Sequence, residues 1–359
     1  MKPIKLRISL VGCGQIADAH LQEIRKISQA EIVAVCDRHL DLARQAAARF
    51  GVPQVFDDLG HMLAATRPDV LHVTTPPQTH RAIALEALGE RANVYLEKPF
   101  AVNAAEAAEI LDAARETGRL VCVGHDQLFD PTWEECRRIV HAGELGRIVH
   151  IESMQGYNLD GPFGRAFASE PDHWVHRLPG GLFHNTISHA LYRITDFLPD
   201  ERPRVWATWF GEAQPEDYPT ELRVLLQGAE ATASLLFTAA ARPVQRVARL
   251  FGRRQGIEVD LDAGLVRRYR AARLPGALAK IEVPQVNLRE AARSSAANLG
   301  KFLRCRLHYF AGMRSLFEAF YQAILEGGEP PIPYGEIYRV TAIMDEIFAC
   351  CRHQEESLI

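Results

Sequence analysis

The run Lys5-Leu6-Arg7-Ile8-Ser9-Leu10-Val11-Gly12-Cys13-Gly14-Gln15-Ile16-Ala17 decides how the chain is built. Residues 5–11 alternate and then turn apolar, the pattern of a strand entering a core. The six residues from Gly12 to Ala17 fit G-x-G-x-x-A. Gly12 makes the tight turn, and Gly14 lets backbone approach a pyrophosphate. Ala17 lets the next helix pack close, while the amides around Gln15 and Ile16 face the phosphates. The pattern is weak alone, and its context strengthens it: a helical pattern over 16–27, then a second strand over 31–36. Asp37 ends that strand, 20 residues after Ala17. A carboxylate there accepts from both adenine-ribose hydroxyls and repels a 2′-phosphate, favouring NAD over NADP. Arg38 beside it softens that preference and keeps NADP open.

The alternation continues. A helix over 40–50 stops at Gly51, Asp57-Asp58 caps a short helix through Ala65, and a third strand covers 70–74. Thr75-Pro76-Pro77-Gln78-Thr79-His80 follows at its carboxyl end. A stiff loop there lies where the nicotinamide half of a dinucleotide would sit, so Thr75 and Pro76 are candidate contacts. His80 either touches the cofactor or sits in the first turn of a helix over 79–88; the second reading is favoured. The next strand, Val94-Tyr95-Leu96, runs into Glu97-Lys98-Pro99-Phe100. Ligands of open parallel sheets bind at the carboxyl ends of strands. Lys98 therefore faces the cofactor cleft, where it can polarise a carbonyl or alkoxide, and Pro99 restricts it to an extended conformation. A helix over 104–116 and a strand over 120–123 complete a βαβ series with right-handed crossovers.

Composition bounds the rest. A chain of 359 residues suits two domains, and 47% hydrophobic with 24% charged residues is that of a globular protein. The net charge of −4, from 41 basic and 45 acidic residues, gives no reason to expect nucleic acid. No apolar run reaches the roughly 18 residues a bilayer span needs. The N-terminus enters a strand directly and lacks a signal-peptide layout. Seven cysteines without C-x-x-C spacing point to a reducing cytoplasm. No His/Cys/Asp/Glu cluster has metal-ligand spacing, so no metal is expected.

With these motifs, and with 123–131 (VGHDQLFDP) and Glu144-Leu145-Gly146-Arg147-Ile148, the sequence resembles the glucose–fructose oxidoreductase / inositol dehydrogenase / MocA (Gfo/Idh/MocA) family over essentially its whole length. These are nicotinamide-dependent oxidoreductases. The resemblance implies an α/β protein: an N-terminal Rossmann domain, doubly wound on a parallel sheet, over 1–125. It implies a C-terminal α+β domain over 126–359 with an open, mostly antiparallel sheet, its last helices able to pack back on the first domain. It places active sites between the two domains and an oligomer interface on the sheet's other face, hence a homodimer or homotetramer.

The residues of the second part agree. A helix over 131–142 precedes β-like runs over 148–155, 205–210, 221–227 and 231–238, with two more at 246–251 and 257–261. Between the first two lies His173-Trp174-Val175-His176-Arg177-Leu178-Pro179-Gly180-Gly181-Leu182-Phe183-His184-Asn185-Thr186-Ile187-Ser188-His189. A helix over 182–197 would put Asn185 and His189 on one face and Ser188 with Tyr192 on the adjoining one. The resemblance makes His189 the base that takes the substrate hydroxyl proton and Lys98 its assistant. Asn185 stands where the family often carries Asp. Asn cannot relay a proton or raise an imidazole by charge, so it is assigned to orienting the substrate. Tyr157, Arg165, His173, Trp174 and His176, on irregular stretches, are candidate substrate contacts.

Over 242–306 the charge shifts to 15 Lys/Arg against 5 Asp/Glu. A helix over 287–307 is amphipathic, with Leu288, Ala292, Leu299, Phe302 and Leu303 apolar and Arg289, Arg293, Lys301, Arg304 and Arg306 basic. A solvated helix or subunit contact is favoured there over membrane contact. The expected function is hydride transfer between a secondary alcohol of a sugar, cyclitol or sugar derivative and NAD. Two alternatives stay open: an NAD-dependent redox-neutral glycosidase or lyase, and a non-enzymatic dinucleotide-binding sensor.

Overall fold

The computed structural model describes residues 5–211, 218–303 and 310–358. These divide into two compact units, one within 1–126 and 312–342, the other within 127–311 and 343–359.

The first unit carries a six-stranded parallel sheet, in the order β3-β2-β1-β4-β5-β6. Its strands are β1 (Leu6–Val11), β2 (Ala30–Cys36), β3 (Gln54–Phe56), β4 (Val70–Val73), β5 (Asn93–Leu96) and β6 (Val121–Val123). Its helices are α1 (Gln15–Ile24), α2 (Leu40–Phe50), α3 (Leu59–Thr66), α4 (His80–Gly89) and α5 (Ala104–Thr117). This order is that of the doubly wound dinucleotide fold, whose switch point lies between β1 and β4. The predicted stops hold: Gly51 and Gly118 cap α2 and α5 in left-handed conformation, and Asp58 accepts from the His61 amide at the start of α3. Two expectations change. α1 ends at Ile24, not Ile27. The strand at 70–73 is the fourth, because β3 precedes it; three residues at a sheet edge are too few to show a period. The core between α1, α2 and the sheet is built from Leu10, Cys13, Ala17, Leu21, Val35, Ala43 and Ala46. Ala17 is completely buried, as its packing role requires.

The second unit carries a seven-stranded sheet, β13-β12-β11-β7-β10-β9-β8. The strands are β7 (Ile148–Gly156), β8 (Arg204–Phe210), β9 (Glu221–Gln227), β10 (Thr232–Thr238), β11 (Arg246–Gly252), β12 (Gly256–Asp260) and β13 (Leu265–Tyr269). All neighbours are antiparallel except β7 with β10. β13 is an addition to the predicted set; its Arg267-Arg268 pair disguises a strand whose arginines reach Glu258 and Glu144. Helices here are α6 (Pro131–His141), α7 (Pro162–Ser169), α8 (Gly181–Thr186), α9 (Ser188–Thr195) and α10 (Ala279–Leu303). α7 replaces part of the expected irregular stretch. α10 starts eight residues before the predicted 287, and Arg304, Arg306 and Leu307 lie outside the described residues. Two helices follow, α11 (Ala311–Glu326) and α12 (Tyr334–Leu358). Most of α11 and the first turns of α12 belong to the first unit.

The predicted single helix over 182–197 is two short ones. Thr186 turns its hydroxyl back onto the Leu182 carbonyl at 2.8 Å. That bond competes with the backbone ladder and bends helices. Helical bonding resumes with the Leu191 amide on Ile187. Asn185 therefore sits on α8 and His189 on α9, joined through Ile187, which keeps helical dihedrals and bonds its amide to the Phe183 carbonyl.

Candidate active site

In the first unit the candidate residues converge at the carboxyl ends of β1, β2, β4 and β5. Gly12 has φ +95°, and its amide bonds to the Cys36 carbonyl. A Cβ there would stand 2.7 Å from Thr75 Cγ2 and 2.8 Å from the Thr74 carbonyl carbon. Thr74 closes the turn by donating its hydroxyl to the Gly12 carbonyl at 2.6 Å. Gly14 differs. It precedes α1 in extended conformation with no side-chain cap, and a Cβ on it would meet no protein atom within 4 Å. Its bareness serves no packing need in the chain. The uncapped first amides of α1 and the open backbone at Gly14 fit a dinucleotide pyrophosphate. Gln15 is exposed and Ile16 half-buried in that first turn.

Asp37 braces the same loop. One carboxylate oxygen accepts from the Cys13 amide at 2.7 Å, the other from the His39 amide at 2.8 Å. The carboxylate is half-exposed and each oxygen keeps a second lone pair, as ribose binding needs. Arg38 is exposed and donates to His39. Cys13 is no nucleophile: burial, with Asp37 next, pushes its thiol up to about 12.

Thr75 and Pro76 lie half-buried after β4, and the Thr79 hydroxyl donates to the Thr75 hydroxyl at 2.7 Å. His80 is fully buried in the first turn of α4. Its ring nitrogens lie 2.9 Å from the Thr75 carbonyl and 3.1 Å from the Phe100 carbonyl. The ring thus sits between the loop after β4 and the loop after β5 and, with one N–H when neutral, donates to one of the two carbonyls. Burial pushes its pKa down, and the two carbonyls oppose that.

Lys98 stands half-buried after β5, and the Lys98–Pro99 bond is cis. Burial lowers the ammonium's pKa; Glu97 and then Asp126 oppose that. Glu97 is the buried anchor of a chain of polar contacts. His20 Nε2 of α1 lies 2.8 Å from Glu97 Oε1, and His20 Nδ1 lies 3.0 Å from His72 Nδ1 of β4. His72 Nε2 lies 2.8 Å from the Tyr321 hydroxyl of α11. One direction satisfies all three contacts with neutral rings: Tyr321 donates to His72, His72 to His20, His20 to a Glu97 carboxylate. Burial works to raise the Glu97 carboxyl, but the His20 hydrogen bond and then Lys98 outweigh it and hold it low. Tyr95 stacks on His72 with ring centres 4.8 Å apart. Gly124 completes the fit, since a Cβ there would press on the Glu97 carboxylate at 3.1 Å.

In the second unit, residues 182–188 are all buried and His189 is the first ring after them that solvent reaches. Its Nδ1 lies 2.7 Å from the Tyr192 hydroxyl, one turn further along α9. Tyr192 is fully buried, and its oxygen also accepts from the Gln127 amide at 3.4 Å. Asn185 is 8% exposed, close under the surface. Behind them Arg193 is fully buried and donates to the Met154 carbonyl and to Gln155, tying α9 to β7. The remaining candidates are mixed. Tyr157 is half-buried and stacks on Phe237, while Trp174 is half-buried beside His173. His173 spends Nδ1 on the Val175 amide. His176 lies flat on Phe167, ring centres 4.4 Å apart, with Nε2 on the Phe167 carbonyl. Arg165 is exposed and donates to the Asp160 carbonyl.

Sequence reading missed His20, His72 and Tyr321 behind Glu97, and Tyr192 as the partner of His189. Tyr192 was legible, being three residues on in a helix. The others join segments 52 to 249 residues apart, and no local pattern marks such pairs.

Residues 6–125 match the model of an oxidoreductase family with an NAD-binding Rossmann fold, GFO_IDH_MocA. The chain is 35% identical over 144 residues to D-glucoside 3-dehydrogenase of Escherichia coli, 40% of this chain and 41% of that protein. It is 33% identical over 177 residues to inositol 2-dehydrogenase of Gluconacetobacter diazotrophicus, 48% of this chain and 52% of that protein. The alignments thus span about half, or less, of the length of these curated relatives. Among solved structures, the WlbA dehydrogenase of Bordetella pertussis, in complex with NADH and UDP-GlcNAcA, is similar with a TM-score of 0.80 at 21% identity, covering 99% of this chain and 97% of that one. The UDP-N-acetylglucosamine 3-dehydrogenase GnnA of Acidithiobacillus ferrooxidans has a TM-score of 0.75 at 19% identity, covering 98% and 99%. These likenesses extend the shared fold to both units.

Proposed function

We propose that the chain, whose residues 6–125 match the NAD-binding Rossmann model of the Gfo/Idh/MocA oxidoreductase family, is an NAD-dependent dehydrogenase of a secondary alcohol on a sugar, cyclitol or sugar derivative. The observation that carries this reading is Lys98 at the end of β5, beside a Glu97 carboxylate that His20 holds in place. The relatives named above, acting on a glucoside and on inositol, support the substrate class.

NAD, when bound, accepts the hydride of the alcohol carbon. Gly12, Gly14, the α1 amides, Asp37, Thr75 and Pro76 hold it, and Asp37 selects it over NADP. His189 takes the hydroxyl proton; with Nδ1 set against Tyr192, Nε2 is the nitrogen that receives it. Lys98 stabilises the developing oxyanion as a positive charge where charge develops. Asn185 orients a substrate hydroxyl. Tyr157 and Trp174 line the substrate, whereas the bonds of His173, His176 and Arg165 favour holding their own loop. The chain is a cytoplasmic homo-oligomer in this reading. Free thiols at every described cysteine support the first, and Trp206 and Leu225, exposed and directly paired on β8 and β9, support the second.

Nicotinamide absorbance with NAD and a panel of polyols, aldoses, sugar acids and nucleotide sugars tests it. Reduction by the wild type, lost in Lys98→Ala and His189→Ala, is expected. NAD binding without turnover on any member, or aglycone release from an aryl glycoside, would defeat the dehydrogenase reading.

A further inference from the structure

An amphipathic helix normally turns its apolar stripe inward. α10 does the reverse. Ile281, Leu288 and Leu299, seven and eleven residues apart, fall on one line of the helix, and they are 57%, 70% and 59% exposed. Phe302 and Leu303 widen that line at its end and Leu278 extends it at its start, all more than half exposed. The face turned to its own unit is polar. Asn298 donates to the Ala263 and Gly264 carbonyls, Glu290 pairs with Arg268, and Glu282 accepts from the Arg273 and Leu274 amides.

This reversal sorts the charges. Both acids of α10, Glu282 and Glu290, are turned inward and occupied. Lys280, Arg289 and Arg293 are exposed, and Arg273 just before the helix is exposed as well. Arg293 and Lys301 also act on Glu135 and Glu134 of α6, which leaves Lys280 and Arg289 as the exposed cations flanking the stripe. An apolar stripe flanked by cations is the pattern of a helix lying in the interfacial plane of an anionic bilayer. A second copy laid along the stripe would set basic flank against basic flank. No helix among the described residues is long and apolar enough to cross a membrane, so the contact is with its surface.

We propose that α10 docks the protein on an anionic phospholipid surface, with Ile281, Leu288, Leu299 and Phe302 entering the headgroup boundary and Lys280 and Arg289 on the lipid phosphates. This goes beyond the proposed dehydrogenase and does not depend on it.

Vesicle flotation of the full chain tests the proposal, with phosphatidylcholine alone and with about one third phosphatidylglycerol. Wild type should float with the anionic vesicles, at least tenfold less with the neutral ones, and less again in about 0.5 M salt, where screening is short. Leu288→Glu/Leu299→Glu/Phe302→Glu should lose at least tenfold while keeping its melting temperature. Lys280→Glu/Arg289→Glu leaves the stripe intact and should lose binding too, so the test stands even if the first variant misfolds. Wild type that stays unbound on anionic vesicles at low salt, or floats equally on neutral ones, overturns the proposal. So does a vesicle-free dimer that the triple substitution turns into monomer, which would assign the stripe to a second copy.

Discussion

The Tyr192 hydroxyl meets His189 Nδ1 at 2.7 Å, and both residues belong to the eight-residue helix α9. An acidic partner would both orient and charge-stabilise an imidazole; a phenol orients it and adds no charge at neutral pH. In the proposed mechanism Tyr192 is the residue that positions His189, and Asn185 supplies no charge to it.

Tyr192→Phe keeps the ring and deletes the contact. We expect kcat to fall about tenfold with little change in KM, against about 10²–10⁴-fold for His189→Ala. Steady-state kinetics decide it: equal losses in the two variants would mean Tyr192 does more than orient, and no loss would remove it from the mechanism.

Gly12 and Gly14 separate folding from binding. Gly12→Ala forces a side chain into φ +95° and against Thr74 and Thr75, at a cost of about 2–4 kcal/mol in unfolding free energy. Gly14→Ala meets no protein atom, so stability without cofactor should change by less than about 0.5 kcal/mol, while NAD affinity falls at least tenfold. Denaturant melts beside NADH fluorescence titrations check both. A Gly14→Ala variant with wild-type affinity would move the pyrophosphate away from this loop.

The pH profile reads Lys98. It must be protonated to stabilise an oxyanion, so activity is lost as pH rises through its pKa, and burial places that limb below the ordinary lysine value. Glu97 raises the Lys98 pKa, so Glu97→Gln removes that support and should move the alkaline limb to lower pH. His20→Gln should move it the same way by a smaller step. A limb that stays put in Glu97→Gln would show that the titrating group is not Lys98.

Asp37 braces its loop and, in the proposed reading, also selects NAD; the two separate by substitution. Asp37→Asn keeps an acceptor for the Cys13 amide, gives up the one for the His39 amide and removes the negative charge. We expect the NAD-over-NADP ratio of kcat/KM to fall at least tenfold, with a smaller loss of stability than in Asp37→Ala. Asp37→Ala should add a loss of stability of about 1 kcal/mol through the unbraced loop. An unchanged cofactor ratio in both would place selection elsewhere.

The first domain was legible because its rules are local. Strand, glycine turn and helix follow one another within 5–24, Gly51 and Gly118 stop helices, and Lys98 lies at a strand end that the parallel sheet turns toward the cofactor side. The break at Thr186-Ile187 was not legible: a threonine in a helix either faces solvent or bonds backward, and burial decides which. β3 and β13 were too short or too charged to carry a period.

The sequence by itself determined the glycine loop, the acid at the end of β2, the lysine at the end of β5 and the split between a βαβ half and a β-rich half. All of these depend on spacing within one or two elements, whereas the proposed role of His189 rests on the family resemblance. Tertiary structure alone decided that His20, His72 and Tyr321 stand behind Glu97, that His80 sits between the Thr75 and Phe100 carbonyls, and that α10 turns its apolar stripe outward. The stripe itself was written in the sequence. Its direction depended on what the turn before β13 and β13 itself offered: the turn offers the Ala263 and Gly264 carbonyls to Asn298, and β13 offers Arg268 to Glu290.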